Sequence, residues 1–237
     1  MKITPDHIIY WQWEGFNLNA TIVFTWLVML VLFLISWLAT RNLVVKPKMS
    51  RWQVSLEVII AFIREQIREI TQQNPDPFIP FLGSLFLFIS LSNLLDIIPG
   101  FHSPTGSLST TAALAIYVFL AIPIYGISRI GLKKYFKQYL EPSVLMLPFN
   151  IIGEFSRTLA LAVRLFGNIM SGSLIAGILL IITPLFLPVI MQVFGLLIGQ
   201  IQAYIFTILA TVYIASAAQA ENELKMKKGK EGSENNE

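Results

Sequence analysis

Apolar residues run through this chain in long blocks separated by short polar segments, and the blocks set its elements. Ala20 to Ala39 carries no charge, nor does Phe78 to Leu95, nor Ser107 to Ser128. A helix needs about 20 apolar residues to cross about 30 Å of hydrocarbon. The blocks therefore predict membrane spans over 20–39, 78–98 and 108–130. Residues 51–72 follow a different pattern. Trp52, Leu56, Ile59, Ile60, Ile63, Ile67 and Ile70 recur at helical spacing, while Glu57, Arg64, Glu65, Arg68, Glu69 and Gln72 hold the other face. This predicts an amphipathic helix on the membrane surface. The same pattern also suits a hairpin helix packed on a partner. Asn74, Pro75, Asp76 and Pro77 end it, and Pro99 to Ser107 forms a second turn-rich segment.

The last third is the least ordinary. Helical potential runs from Ser143 to Ile182, which is about 60 Å of helix at 1.5 Å per residue, too long for an upright span. Pro184 and Pro188 mark a break, and a second apolar stretch covers 189–220. The expectation over 143–220 is a hairpin of long helices, steeply tilted, curved or kinked. From Glu221 the chain is charged and contains Gly, Ser and Asn, which predicts a disordered tail over 221–237. Met1 to Asn19 reads as a polar tail ending in Tyr10, Trp11, Trp13 and Phe16, residues that suit lipid headgroups. It lacks the basic-then-apolar order of a signal peptide. The expected fold is a single all-α polytopic membrane domain without internal repeats. It has about five membrane-embedded helices plus one amphipathic surface helix, the last two helices long and steeply tilted.

Composition agrees with the pattern. Of 237 residues, 55% are hydrophobic and 13% charged, against about 25% charged in a soluble domain. Too little polar surface remains to coat a globule. The net charge of +3 is no nucleic-acid signal, because Lys and Arg fall between apolar blocks rather than on one face. Their placement sets orientation. Six of the 17 lie in 41–68, four in 129–137 and four in 225–230; Arg157 and Arg164 lie inside the long apolar hairpin, which leaves only Lys2 for the opposite side. The N-terminus is expected outside and the C-terminus in the cytoplasm. Without cysteine, disulfides and thiolate metal sites are excluded.

Arg164 is the main candidate for chemistry. It has no acid within nine residues on either side. An arginine at membrane depth costs at least about 2.5 kcal/mol and marks a functional site by default. It cannot discharge itself. A structural arginine paired with a carboxylate on another helix is the plain alternative. At 100° per residue, Asn150, Arg157, Arg164, Asn168 and Ser171 fall on one stripe. Glu154 is spaced to pair with Arg157. Gly167 and Gly172 flank the stripe and allow another helix to approach closely. On the following helix, Gln192, Gln200 and Gln202 sit in apolar surroundings, and an antiparallel hairpin turning near Thr183 places Gln202 level with Arg164. Gln202 also suits the ordinary role of a membrane glutamine satisfied by backbone.

These residues carry a resemblance. Glu154-Phe155-Ser156-Arg157-Thr158-Leu159-Ala160-Leu161-Ala162-Val163-Arg164-Leu165-Phe166-Gly167-Asn168 resembles the signature of subunit a of F-type ATP synthases, and Ile201-Gln202-Ala203-Tyr204-Ile205-Phe206-Thr207-Ile208-Leu209 resembles its second signature. Asn93-Leu94-Leu95-Asp96-Ile97-Ile98-Pro99, Pro104-Thr105, Thr110 and Thr111 are similar to its loop between the second and third spans. The resemblance covers nearly the whole chain. It implies a stator subunit beside a rotating ring of c subunits, each with one ion-binding carboxylate. Two half-channels pass H⁺ or Na⁺ to and from that ring, and the hairpin over 143–220 faces it.

In this family Arg164 is the essential gate, Gln202 its neighbour, and Asn168 and Ser171 line the interface. Ser173, Asn150, Glu154, Arg157, Gln192, Gln200, Asn93 and Asp96 are further channel candidates. Two positions depart from the proton-conducting pattern. Ser173 stands where many members place a carboxylate, and Gly195 where they place His or an acid. Neither can relay protons, so water or a Na⁺ path takes their place. The implied partners are the c ring, the b subunits of the peripheral stalk, the whole complex and lipid, in a bacterial plasma membrane. No cofactor, nucleotide site, metal or nucleic acid is expected. A secondary transporter or channel, or a structural scaffold, are the competing readings; the first expects repeated halves, and the second leaves Arg164 and Gln202 without a role.

Overall fold

The computed structural model describes residues 6, 9–13, 16–41, 51–98, 100–133, 135, 146–183 and 186–234. Residues 42–50, Pro99, Lys134 and Lys137 of the basic stretch 129–137, the hairpin start at Ser143 and the break at Pro184 lie outside them.

Two short antiparallel strands come first, β1 (Ile9–Trp13) and β2 (Phe16–Asn19). The sequence reading assigned no strand here. Ile, Tyr and Trp favour a pleated pair once a turn brings the segments together. Six helices follow among the described residues: α1 (Ala20–Thr40), α2 (Arg51–Thr71), α3 (Ile79–Leu95), α4 (Leu108–Ile130), α5 (Met146–Ile182) and α6 (Leu187–Glu234). A 3-10 turn, Pro104–Gly106, sits between α3 and α4. Helices α1, α4, α5 and α6 are long and apolar enough to cross a membrane, and α3 is a shorter apolar helix. The predicted span 78–98 stops at Leu95 because Asp96 and the turn formers after it cannot extend it. The predicted disorder from Glu221 is corrected: α6 continues to Glu234. From Glu221 to Glu234 that segment holds four Glu, four Lys, one Leu and one Met, straight-chain residues whose helix propensity outweighs the charge.

Helix α2 ends on Gln72 in the left-handed region (φ 52°), whose N–H donates to the Arg68 carbonyl at 2.9 Å. The Asn74 side chain then accepts the Asp76 N–H at 3.2 Å, an Asx turn that redirects the chain into α3. Gly131, at φ 85°, closes α4 with its N–H on the Ile127 carbonyl.

The core forms around α6. Ala203, Phe206, Ala210 and Ile214 are buried at helical spacing. They meet Leu161 and Leu165 of α5, Leu82, Leu85 and Ile89 of α3, Ala115 and Val118 of α4, and Ile63 and Ile67 of α2. Lipid is as apolar as these side chains, so close packing rather than water exclusion holds such helices together. The buried hydroxyls of Thr207 and Thr211 donate one turn back, to the carbonyls of Ala203 and Thr207, and need no further partner. Part of the apolar face of α2 packs on this chain's own bundle, with Ile63 and Ile67 buried and the Tyr204 hydroxyl donating to Gln66 Oε1 at 2.5 Å, while Ile59 and Ile60 stay exposed.

A contact the sequence did not suggest closes one end of the bundle. The Asp6 carboxylate accepts the Thr21 hydroxyl at 2.7 Å and the Ser107 hydroxyl at 2.7 and 2.8 Å. Thr21 lies in the first turn of α1, and Ser107 is the N-cap of α4. Neither helix has an acid in its own first turn. One carboxylate therefore serves the positive ends of two helices. Asp6→Ala is expected to lower stability by about 1–3 kcal/mol, the worth of charge-assisted hydrogen bonds at a helix start. Thermal unfolding of the purified complex in detergent, followed by circular dichroism, measures it; an unchanged midpoint removes the clasp from the account.

Candidate functional site

Helix α5 buries Leu161 and Leu165 against α6 and leaves its other face open. Phe149, Ile152, Phe155, Leu159, Val163, Ile175 and Ile178 are all large, apolar and exposed along it. An apolar face this long marks a surface for lipid or another protein. Arg164 is exposed on this face, with Arg157 and Ser171, while Asn150 and Asn168 are half-buried. The expected stripe is thus a real surface feature. Arg164 makes no hydrogen bond or ion pair with the described residues. A Cβ added at Gly167 or Gly172 would meet nothing within 4 Å, so the backbone beside Arg164 is open to close approach.

Gln202 lies behind this face rather than on it. It is 2% exposed, and its Oε1 accepts the Asn168 Nδ2–H at 2.7 Å. Its own Nε2 is buried and has no partner among the described residues. The hairpin register thus sets Gln202 against Asn168, one turn on from Arg164. The same register places the Arg157 guanidinium 5.7 Å from the ring centre of Tyr213 on α6. Arg157 therefore contributes a cation–π contact across the hairpin. The Glu154 carbonyl accepts the Thr158 hydroxyl at 2.9 Å. Ser171 and Ser173 are exposed and donate to carbonyls of their own helix, those of Asn168 and Met170. Gly195 is exposed as well.

The remaining candidates gather between α3 and α6. Asn93 Nδ2 donates to the Gly199 carbonyl at 2.7 Å, and Asn93 Oδ1 accepts the Thr105 hydroxyl at 3.2 Å. Thr105 has one hydroxyl proton and gives it to Asn93, so the Ser103 hydroxyl 2.7 Å away must donate to Thr105. The result is a directed chain, Ser103 to Thr105 to Asn93 to the Gly199 carbonyl, made of neutral groups and buried throughout. Beside it, Ser90 and Gln200 exchange hydrogen bonds, hydroxyl to Oε1 at 2.5 Å and Nε2 to the Ser90 carbonyl at 3.0 Å. Gln192 donates to the Ile97 carbonyl at 3.1 Å.

Asp96 stands where the chain of hydroxyls reaches the loop. Its carboxylate accepts the Ser103 N–H at 3.1 Å. Desolvation by the surrounding loop pushes its carboxyl above the usual carboxylate range, although the side chain still reaches the surface. The Ser103 N–H and the charge of His102 pull it back down.

The structure therefore divides the candidates into two groups. Arg164, Asn168, Gln202, Ser171, Asn150 and Arg157 belong to the α5 face and its backing. Asn93, Asp96, Gln192 and Gln200 belong to the α3–α6 seam. Sequence reasoning missed Ser90, Ser103, Gly199 and the clasp of Asp6 on Ser107. The run of hydroxyls at Ser103, Thr105, Ser107, Ser109, Thr110 and Thr111 was the available signal.

Comparison with known proteins gives the family of the chain. The family described as ATP synthase A chain matches residues 22–215. ATP synthase subunit a 1 of Crocosphaera subtropica is 63% identical over 216 residues, covering 91% of this chain and 94% of that protein. ATP synthase subunit a 2 of Acaryochloris marina is 61% identical over 221 residues, with 93% and 94% covered. ATP synthase subunit a of Albidiferax ferrireducens is 57% identical over 219 residues, with 92% and 95% covered. The match covers every candidate site residue from Asn93 to Gln202, and the chain belongs to the ATP synthase A chain family.

Proposed function

We propose that this chain is the ion-translocating stator subunit of a rotary F-type ATP synthase, with Arg164 as its gate. One observation carries the reading: a permanent cation stands on the open face of a long apolar helix, with no counter-ion among the described residues and glycine beside it. Such a charge is costly in lipid. It is stabilised opposite the carboxylates of a c ring moving past α5. Arg164 favours the ionised carboxylate, so each arriving c subunit releases its ion there. The same charge repels a cation trying to cross without rotation.

Two half-channels follow from the two groups of residues. The seam of Asp96, Asn93, Gln192 and Gln200 forms the access side from the outer loop. The α5 face toward Asn150, Glu154 and Arg157 forms the cytoplasmic side. The N-terminus lies outside, the C-terminus in the cytoplasm, and the b subunits cover part of the remaining apolar surface. The chain is a non-nucleotide-binding subunit of the complex, in a bacterial cell membrane. Because Ser173, Gly195 and the chain from Ser103 to Asn93 are neutral, side-chain protonation cannot carry H⁺ along them. Water carries it there, or the ion is Na⁺. The test is ATP-driven uptake of ²²Na⁺ and of protons by vesicles holding the whole complex, native against Arg164→Ala.

A further inference from the structure

We infer that Gln202 is a positioning residue that fixes which atom of the Asn168 carboxamide faces the rotor. This rests on the stator reading and deepens it. Gln202 is 2% exposed, so it is shielded from a passing c subunit, whereas Asn168 reaches the open face. The Asn168 Nδ2 donates inward to Gln202 Oε1 at 2.7 Å. A carboxamide carries one nitrogen and one oxygen on a planar fork. With the nitrogen turned inward, Oδ1 is the atom left for the outer face. The Ser171 hydroxyl donates to the main-chain carbonyl of Asn168 and does not compete for the side chain.

The consequence is a contrast within one helical turn. Arg164, four residues earlier and about 6 Å along the axis, is a pure donor and favours an empty, ionised carboxylate. Asn168 presents an acceptor. An ionised carboxylate gains nothing from a neutral oxygen, but a protonated carboxyl can donate to it, and a bound alkali cation can be shared with it. Asn168 therefore favours the loaded site and Arg164 the unloaded one. If the amide turned over, its NH₂ would favour the ionised carboxylate too, and the contrast would vanish. Turning Asn168 alone would set its Oδ1 against Gln202 Oε1, two acceptors, and break the bond between them.

The experiment uses the whole complex in vesicles. ATP-driven uptake is measured against Na⁺ concentration with ²²Na⁺, and in parallel against pH with a pH-sensitive dye. The variants are Gln202→Leu, Asn168→Leu, the double variant and Arg164→Ala. Loss of one oriented hydrogen bond is expected to raise the half-saturating ion concentration of Gln202→Leu about fivefold to tenfold, with a smaller fall in the maximal rate. The double variant should be no worse than Asn168→Leu, since no amide remains to orient. If Gln202→Leu does not assemble, Gln202→Met, closer in shape, carries the same comparison. A native half-saturating concentration, or additive losses in the double variant, overturns the positioning role while leaving the stator reading intact. Native-rate uptake by Arg164→Ala overturns both.

Discussion

Arg164→Ala is expected to abolish ATP-driven ion uptake while the complex still assembles. Removing one partner of a desolvated charge pair costs about 3–5 kcal/mol, more than a hundredfold in rate. Assembly should survive because Arg164 makes no hydrogen bond or ion pair with the described residues, and Leu161 and Leu165 hold the opposite face of α5. The passive behaviour of the same vesicles is a second readout. With the fixed charge gone, nothing repels an ion crossing at that point, so leak in the absence of ATP should rise. Arg164→Lys keeps the charge but replaces a planar fork with a point charge on a flexible stem, and should restore only part of the uptake. Co-purification of the c ring, uptake and leak together decide the matter. An Arg164→Ala complex that pumps at the native rate with no added leak makes Arg164 a structural cation.

Gly199→Val is expected to be the most damaging single change away from the charge. A Cβ at residue 199 would lie 3.1 Å from Asn93 Cβ, Cγ and Nδ2. The same Asn93 nitrogen already bonds the Gly199 carbonyl at 2.7 Å, so α3 cannot draw back without breaking that bond. Overpacking costs about 1–3 kcal/mol and the lost hydrogen bond about 1 more. The seam between α3 and α6 should open, with a lower yield of assembled complex and an earlier thermal transition. Gly199→Ala should be milder. Asn93→Ala added to Gly199→Ala removes two of the three crowded atoms and should recover part of the lost stability. A Gly199→Val complex as stable as the native one would mean the two helices can separate freely there.

These residues also mark what the sequence could and could not convey. Charge-free blocks announced α1, α3 and α4 nearly to the residue, because spanning length is set by bilayer thickness. The stripe through Arg164 was legible because 3.6-residue periodicity alone defines a helix face. Gln202 was placed one turn from its partner, because spacing fixes depth only if the turn is known, and the turn lies in proline-containing sequence. Gly199 looked like any membrane glycine, since its purpose comes from Asn93, over a hundred residues away. Asp6 was invisible for the same reason: its donors sit 15 and 101 residues later.

That last separation bears on how the chain is made. Synthesis proceeds at about 5–20 residues per second, so Ser107 follows Asp6 by about 5–20 s. During that interval α1 is already complete and Asp6 can accept the Thr21 hydroxyl, but the Ser107 donor that ties the same carboxylate to α4 does not yet exist. The bond that locks the beginning of the polypeptide therefore forms only after α3 has been synthesised and α4 begun. A ribosome-bound nascent chain halted before residue 107 should expose its N-terminal segment to protease, and one released after α4 should shield it.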